Sequence, residues 1–433
     1  MSASLAVLIG SLFAAACLLG AFLALRNKRI IDDLPTSKTQ GVFIGLAELK
    51  GQAESESPFS AYLSGVRCVQ YTWQIEEHWS KTVTETYTDN KGHLQTRTRT
   101  ESGWKQVASG GQSAPFYLKD DTGVIRIMPE GAKIQAKTVF NETCRPNDPM
   151  YFDKSPTPEI AHSTHQRRFI ESALPLHADL YILGQARERQ DVVAAEIAKD
   201  KNSPMFIISV RSEKQISSGY GLWSWVFLAL GLICALGGGV GWSALSNLRG
   251  LISWIQPVTM IAGYIVMLLF IYVWTTYNNL INLHHRVEQG WSQVDVQLKR
   301  RHDLIPELVQ SVEGFLQHES DTQKTLADLR GQLKTAPSPG NNHALSVTMR
   351  ITVERYPELK ANANFMKLQA ALVDTEQRIA LARDYYNDIA TFYSNRLEMV
   401  PERYVGSLAR LLKPELIGAV DFERAVVEVK LSE

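Results

Sequence analysis

The chain has 433 residues with 45 basic and 45 acidic side chains, so no bulk electrostatic field marks it for nucleic acid. Its length allows about two or three domains. Its four cysteines contain no Cys-x-x-Cys pair and cannot build two zinc sites.

Apolar residues are concentrated in three runs, Leu5 to Leu25, Tyr220 to Leu245 and Leu251 to Trp274. Each exceeds the roughly 18–20 residues that cross a bilayer. Trp223, Trp225, Trp242, Trp254 and Trp274 flank the runs as interfacial anchors do. Transmembrane helices are therefore predicted at 3–25, 220–246 and 251–275. No Lys or Arg precedes the first run, and the run continues beyond Cys17, which favours an uncleaved anchor over a signal peptide. Arg26, Lys28 and Arg29 follow span one, and Arg286, Lys299, Arg300 and Arg301 follow span three. The positive-inside rule then puts the N-terminus outside and both soluble regions in the cytoplasm. Cys68 and Cys144 are expected there as reduced, buried thiols. The spans carry almost no ionisable groups, which argues against a transport pathway. Gly231, Ala235 and Gly239 recur every four residues on span two, a face suited to packing against span three or another subunit.

Residues 27–218 read as β-rich. Val69, Tyr71, Trp73 and Ile75 alternate with polar neighbours, the pattern of a half-buried strand. Thr82, Thr84, Thr86 and Thr88 lead to a turn at Asn90-Lys-Gly92, and Thr96, Thr98 and Thr100 follow. This predicts a long polar hairpin, read as a solvated ribbon, with contact to a neighbour as the alternative. A second hairpin is expected over Phe116 to Met128, strands at Asp179–Ala186 and Met205–Val210, and a short helix near Gln166–Ser172. His162 and His165 have a spacing compatible with metal but lack a third ligand, and read as a polar loop.

Several blocks resemble the GIDE, or "beside a membrane", domain of membrane-anchored ubiquitin ligases. They are Gly41-Val-Phe-Ile-Gly-Leu-Ala47, Pro58 to Cys68, Tyr71 to Trp79, Phe116 to Ile134, Glu171-Ser-Ala-Leu-Pro175 and Leu180 to Ala186. Those ligases use a zinc-binding RING module, for which this chain lacks the cysteines. The resemblance implies a recognition or scaffolding domain with a protein partner, not ligase activity.

Beyond span three, a heptad pattern occupies 277–412, followed by a tail at 413–433. One series holds Leu280, Val287, Val294, Arg301, Leu308 and Phe315; the second holds His284, Trp291, Leu298, Ile305 and Val312. A later helix repeats the pattern with Phe365, Leu372, Ile379, Tyr386, Tyr393 and Val400, beside Leu368, Thr375, Ala382, Ile389 and Arg396. Such spacing predicts an antiparallel helical bundle packed knobs into holes. A loop over Lys334–Asn342 and a shorter helix over His343–Arg355 separate the two, and Pro306 is expected to kink the first helix. His284, Arg301 and Arg396 are the polar exceptions, expected to specify helix register.

The run from Arg286 to Val309, with Tyr277-Asn-Asn-Leu280, His318-Glu319, Tyr356 to Ala361, Asn364-Phe365, Gln369, Glu376, Ala382-Arg383, Tyr386-Asn387 and Pro401, resembles the LemA family. Within that motif, Asp295, Arg300, His302, Asp303 and Pro306 are candidate site residues. A catalytic reading would pair His302 with Asp303 or Glu307. Adjacent residues point about 100° apart on a helix, so interhelical and surface ion pairs are the favoured reading.

The expectation is an α+β membrane protein of the bacterial inner membrane, comprising a GIDE-like domain, a LemA bundle and three transmembrane helices. It is expected to be a non-enzymatic scaffold without cofactors or nucleic acid, whose partners are its own copies, the lipid bilayer and a protein held by the GIDE-like domain. Organising or shaping the membrane is the sharper version. The rival is a RING-less, ubiquitin-ligase-like adaptor or accessory to a conjugation system.

Overall fold

The computed structural model describes residues 3–88, 94–154, 160–189, 194–201, 203, 205–246, 250–316 and 363–418. Two compact units emerge, one of Leu23–Val226 and one of Met1–Phe22 with Phe227–Glu433. The architecture is mixed, with a β-rich N-terminal region and a helical C-terminal region.

In chain order, the first unit contains the end of helix α1 (Ala3–Asp32), then β1 (Thr36–Ser37), β2 (Gly45–Glu54), β3 (Phe59–Ser60), β4 (Arg67–Thr88) and β5 (Leu94–Ser113). It continues with β6 (Phe116–Lys119), β7 (Val124–Ile127), β8 (Lys133–Gln135), β9 (Lys137–Cys144) and a short α2 (Met150–Asp153). Then come β10 (Ser163–Pro175), β11 (Asp179–Glu188), β12 (Ala195–Ala198), β13 (Ile207–Ser209) and the start of α3 (Glu213–Leu245).

Strand β2 pairs with β6, β6 with β7, β7 with β12, β12 with β11, and β11 with β2 again. The circuit closes into a small barrel, which removes the edges of its member strands. Period-two alternation sends Ala47, Leu49 and Ala53 of β2 inward with Leu118, Ile127, Ile182, Ala186 and Ile197 from the facing strands. β11 is buried on both faces. Its Tyr181 and Leu183 point away from the barrel interior and pack with Ile31 and Leu34 of the α1 end and Ile216 of α3. The near-continuous apolar run Leu180-Tyr-Ile-Leu183 is thus explained by two covered faces.

A second sheet has the order β3-β4-β10-β9, with β5 also on β4. The helix expected near Gln166–Ser172 is strand instead, because β10 buries Arg167, Phe169, Glu171 and Ala173 at period two. The Phe116–Met128 hairpin forms from β6 and β7. The Asp120 carboxylate accepts hydrogen bonds from the Thr122 and Gly123 amides at 2.8 and 3.0 Å, which closes the turn. The Asn90-Lys-Gly92 turn lies outside the described residues.

In the second unit, α4 (Ile255–Leu316) continues without a break from the third apolar run into the heptad region, with Pro306 inside it. α5 (Ala363–Glu398) returns along it and α6 (Glu402–Leu408) follows. Among the described residues, α1, α3 and the start of α4 are the three helices long and apolar enough to cross a membrane. Leu222, Trp223, Trp225, Ile233, Val266, Phe270 and Trp274 are exposed on α3 and α4, as a lipid-facing surface requires. The loop at Lys334–Asn342, the helix at His343–Arg355, His318-Glu319, Tyr356–Ala361 and most of the tail lie outside the described residues.

Candidate functional site

His284 packs on Tyr393, Trp291 on Tyr386, and Arg301 reaches Glu376, so α4 and α5 run antiparallel. On α5 Leu372, Thr375, Ile379, Ala382, Tyr386, Ile389 and Tyr393 are buried at alternating steps of three and four, with Ala390 and Leu397 buried besides. From Tyr277 to Arg301, α4 buries Leu280, Leu283, Val287, Gly290 and Val294, followed by Arg301. The first series on α4 therefore faces α5, but its companion lies at Leu283 and Gly290, not at His284 and Trp291. The sequence reading placed this companion series one position on. Gly290 is the residue that faces α5, and a Cβ there would stand 3.6 Å from Tyr386, in ordinary van der Waals contact. His284 consequently sits at the rim with a side chain 39% exposed, and Trp291 is 54% exposed. Arg396 and Val400 also leave the seam. Leu397 takes the buried place, Arg396 is half-buried within 3.8 Å of Glu402, and Val400 is exposed. α5 ends at Glu398, so the seven-residue repeat has no further turn on which to place Val400.

The charged motif is distributed around this seam. Arg301 is buried and donates to Glu376 Oε1 at 3.4 Å. Arg300 is exposed and lies 3.9 Å from Asp374, which Arg378 also engages at 2.8 Å. Asp295 and Pro306 are exposed. His302 Nδ1 and Asp303 Oδ1 are 3.9 Å apart on an exposed face, beyond hydrogen-bond reach, so the pair makes no dyad. Further along α5, the Asn387 side-chain amide forms a two-way bond with the Ile417 backbone at 2.9 Å in each direction, and Tyr386 donates to Glu415 O at 2.7 Å. These hold the segment after α6 against α5, a contact the sequence did not signal.

In the apolar helices, a Cβ on Gly231 would meet Tyr264 Oη at 2.7 Å, and one on Gly239 would meet Pro257 Cα at 2.5 Å. Ala235 is buried beside Tyr264. The small-residue face of α3 therefore lies against α4. α1 adds a second close approach: a Cβ on Gly10 would sit 2.6 Å from Gly238 Cα. Gly238, one residue from the predicted face, was invisible to the four-residue repeat because it looks toward a different helix.

Three clusters stand out among the charged side chains that the β-rich unit buries. Glu48 is fully buried, accepts from Thr36 at 2.7 Å and Tyr181 at 3.0 Å, and lies 3.1 Å from Lys50, which bridges to Glu213 at 2.7 Å. Burial raises the Glu48 carboxyl above its ordinary range, against the pull of Thr36 and Lys50. Burial, then the Glu48 charge, also pushes the Tyr181 phenol up. Arg167 donates to Glu77 at 3.1 Å and to Tyr151 O at 3.2 Å, with its guanidinium 4.3 Å from the Tyr151 ring centre. Glu171 accepts from the Leu63 and Ser64 amides at 2.9 and 2.8 Å, which ties down the loop before β4. Each cluster joins strands or helices distant in sequence, so periodicity alone gave no sign of them.

Cys68 and Cys144 are free and buried. Burial pushes the Cys68 thiol up to about 11 and raises Cys144 as well. Reactive thiols need the opposite, a depressed pKa and access. Among the described residues no group of three or more His, Cys, Asp or Glu side chains is placed to hold a metal ion.

Comparison with known families finds two separate matches along the chain. Residues 84–241 match the GIDE family model, described as E3 ubiquitin ligase, and residues 290–431 match the LemA family model. The GIDE match opens later than the resembling blocks from Gly41. Protein LemA of Metamycoplasma hominis is 24% identical over 167 residues, 37% of this chain and 76% of that protein. The chain thus joins a GIDE-type region to a LemA-type region, neither match spanning half of its length.

Proposed function

We propose that this protein is a non-enzymatic integral membrane scaffold that associates with its own copies through the helices beyond its third span and displays its β-rich domain for protein recognition. The N-terminus faces outward from the bacterial inner membrane, and both soluble regions lie in the cytoplasm. Organising or shaping the bilayer is the consequence of such assembly. One observation carries this reading. Tyr277, His284, Trp291 and Leu298 form a stripe at seven-residue spacing beside the α4–α5 seam, and Tyr277 and Trp291 are exposed. A buried seam plus a second apolar stripe is the pattern of a helix that meets more than one neighbour.

The test is particle mass in native-lipid discs over a range of protein concentration, for the full chain and for Trp291→Lys. Self-association predicts a multimer that the substitution shrinks while helix content stays unchanged. Strictly monomeric particles at every concentration exclude the reading. The GIDE match favours a second reading, a RING-less adaptor that holds a protein for a separate conjugating enzyme. Double replacement of Cys68 and Cys144 by Ser distinguishes an adaptor from a thiol-dependent enzyme, because an adaptor retains its partner binding.

A further inference from the structure

Strand β4 outruns the domain that contains it. Its pairing with β10 ends at Trp79–Ser163, and beyond Ser80 the only strand beside it among the described residues is β5. That leaves a two-stranded ribbon about 25–30 Å long. One face carries the directly opposed threonine pairs Thr82–Thr100, Thr84–Thr98 and Thr86–Thr96; the other carries Lys81–Glu101, Val83–Arg99 and Glu85–Arg97. All of Leu94 to Ser102 is exposed, and β5 pairs with nothing but β4 among the described residues. A ribbon with neither a third strand nor a buried face is marginal in water.

Charges usually blunt such an edge against pairing. Here their order is self-complementary about Thr100. An antiparallel copy of β5 with Thr100 opposite Thr100 puts each Arg99 opposite a Glu101, Arg97 opposite Gly103, Thr98 opposite Ser102 and Gln95 opposite Lys105. No like charges meet. Centring on Arg99 or Glu101 sets identical charges face to face, centring on Thr98 opposes Arg97 to Arg99, and centring on Ser102 opposes Arg99 to Lys105. Like charges directly opposed destabilise a ladder. Centring on Gly103 carries the ladder through Val107, the extra residue where the β4–β5 register shifts between Ile75 and Glu76. A bulge of that kind ends regular pairing. The register on Thr100 runs from Leu94 to Gln106 and stops just short of it.

We propose that two copies of this chain join edge to edge through β5, antiparallel and centred on Thr100, to form a continuous four-stranded ribbon. The ladder supplies on the order of a dozen backbone hydrogen bonds. The four Arg99 and Glu101 side chains set the register. Arg99 Nε already lies 3.9 Å from Glu101 within one chain, so both are on the face where their cross-copy partners arrive. This interface goes beyond the association through α4 and uses a different surface.

The test is oxidative crosslinking of the full chain in proteoliposomes, with the unsubstituted chain as control. Thr100→Cys places two thiols directly opposite, within the Cα separation of about 4.4–6.8 Å that a disulfide spans. It is expected to give a covalent dimer. Thr96→Cys is expected to give almost none, because its two copies lie about 25 Å apart in this register. Adding Glu101→Arg to Thr100→Cys lowers the yield on the order of fivefold, and further adding Arg99→Glu restores it. The restored pairing is intermolecular, since Lys81 still faces an arginine within its own chain. Equal yields at Thr100 and Thr96, no dimer with Thr100→Cys, or indifference to charge reversal overturns the proposal.

Discussion

The β-rich unit and the α4–α5 pair both place charge against apolar surface, but they do so differently. In the first, Glu48, Glu77, Arg167 and Glu171 are almost fully enclosed, and their partners come from other strands or from backbone amides. In the second, Arg301 is buried while its partner Glu376 is 41% exposed, and Arg300, Asp303 and Asp295 face outward. Enclosed charges lock strands together, because each loses solvation that only its partner replaces. Rim charges cost little to leave and can change partners. The difference leaves the β unit locked internally by its enclosed charges, whereas most charges of the helix pair stay on its surface.

Substitutions can break or sharpen this contrast. The largest effect is expected from Glu77→Ala, which strands Arg167 in the interior; removing one member of a buried pair costs about 3–5 kcal/mol. Urea-dependent hydrogen exchange of the β10 amides measures it, and unchanged protection would show that the pair is not structural. Arg301→Ala should cost about 1–2 kcal/mol, from lost packing and one charge-assisted hydrogen bond, because Glu376 can turn to water. Arg301→Met should recover most of that loss in the exchange protection of α4 and α5. A cost for Arg301→Ala equal to that of Glu77→Ala would erase the distinction.

The smallest effect is on pH dependence. Burial raises the Glu48 carboxyl, so the folded state holds its proton more tightly than the unfolded state. Its stabilising contribution is complete below the ordinary carboxylate value of about 4.3 and fades as pH rises through the raised value. Lys50, lowered by burial but raised further by Glu213 and Glu48, stays charged throughout this window. Melting of the wild type, compared with Glu48→Gln, should therefore fall behind as pH rises from about 4 to 8. A gap that narrows instead would mean that Glu48 is ionised and satisfied by Lys50 and Thr36.

Much of the fold was legible because it follows from local period. Three long apolar runs, alternating strands and two heptad series needed no tertiary information. The heptad reading went wrong where size and geometry diverge. Trp291 is bulkier than Gly290, and both candidate series alternate steps of three and four, so spacing could not choose between them; the position of α5 does. The helix expected at Gln166–Ser172 failed for a similar reason. The strand there buries Arg167 and Glu171, whose partners are Glu77 and the Leu63–Ser64 backbone, all distant in sequence.

The sequence by itself determined which segments are apolar enough to span a membrane, which alternate as strands, and that a LemA-like helix leads out of the third apolar run. These are one-dimensional properties, written in the spacing of side chains along the chain. Only the tertiary structure decided that five strands close into a barrel, that Gly238 meets Gly10, and which charges lose their water. Such outcomes depend on strand pairing and helix approach between residues far apart in sequence, where no local period carries a signal.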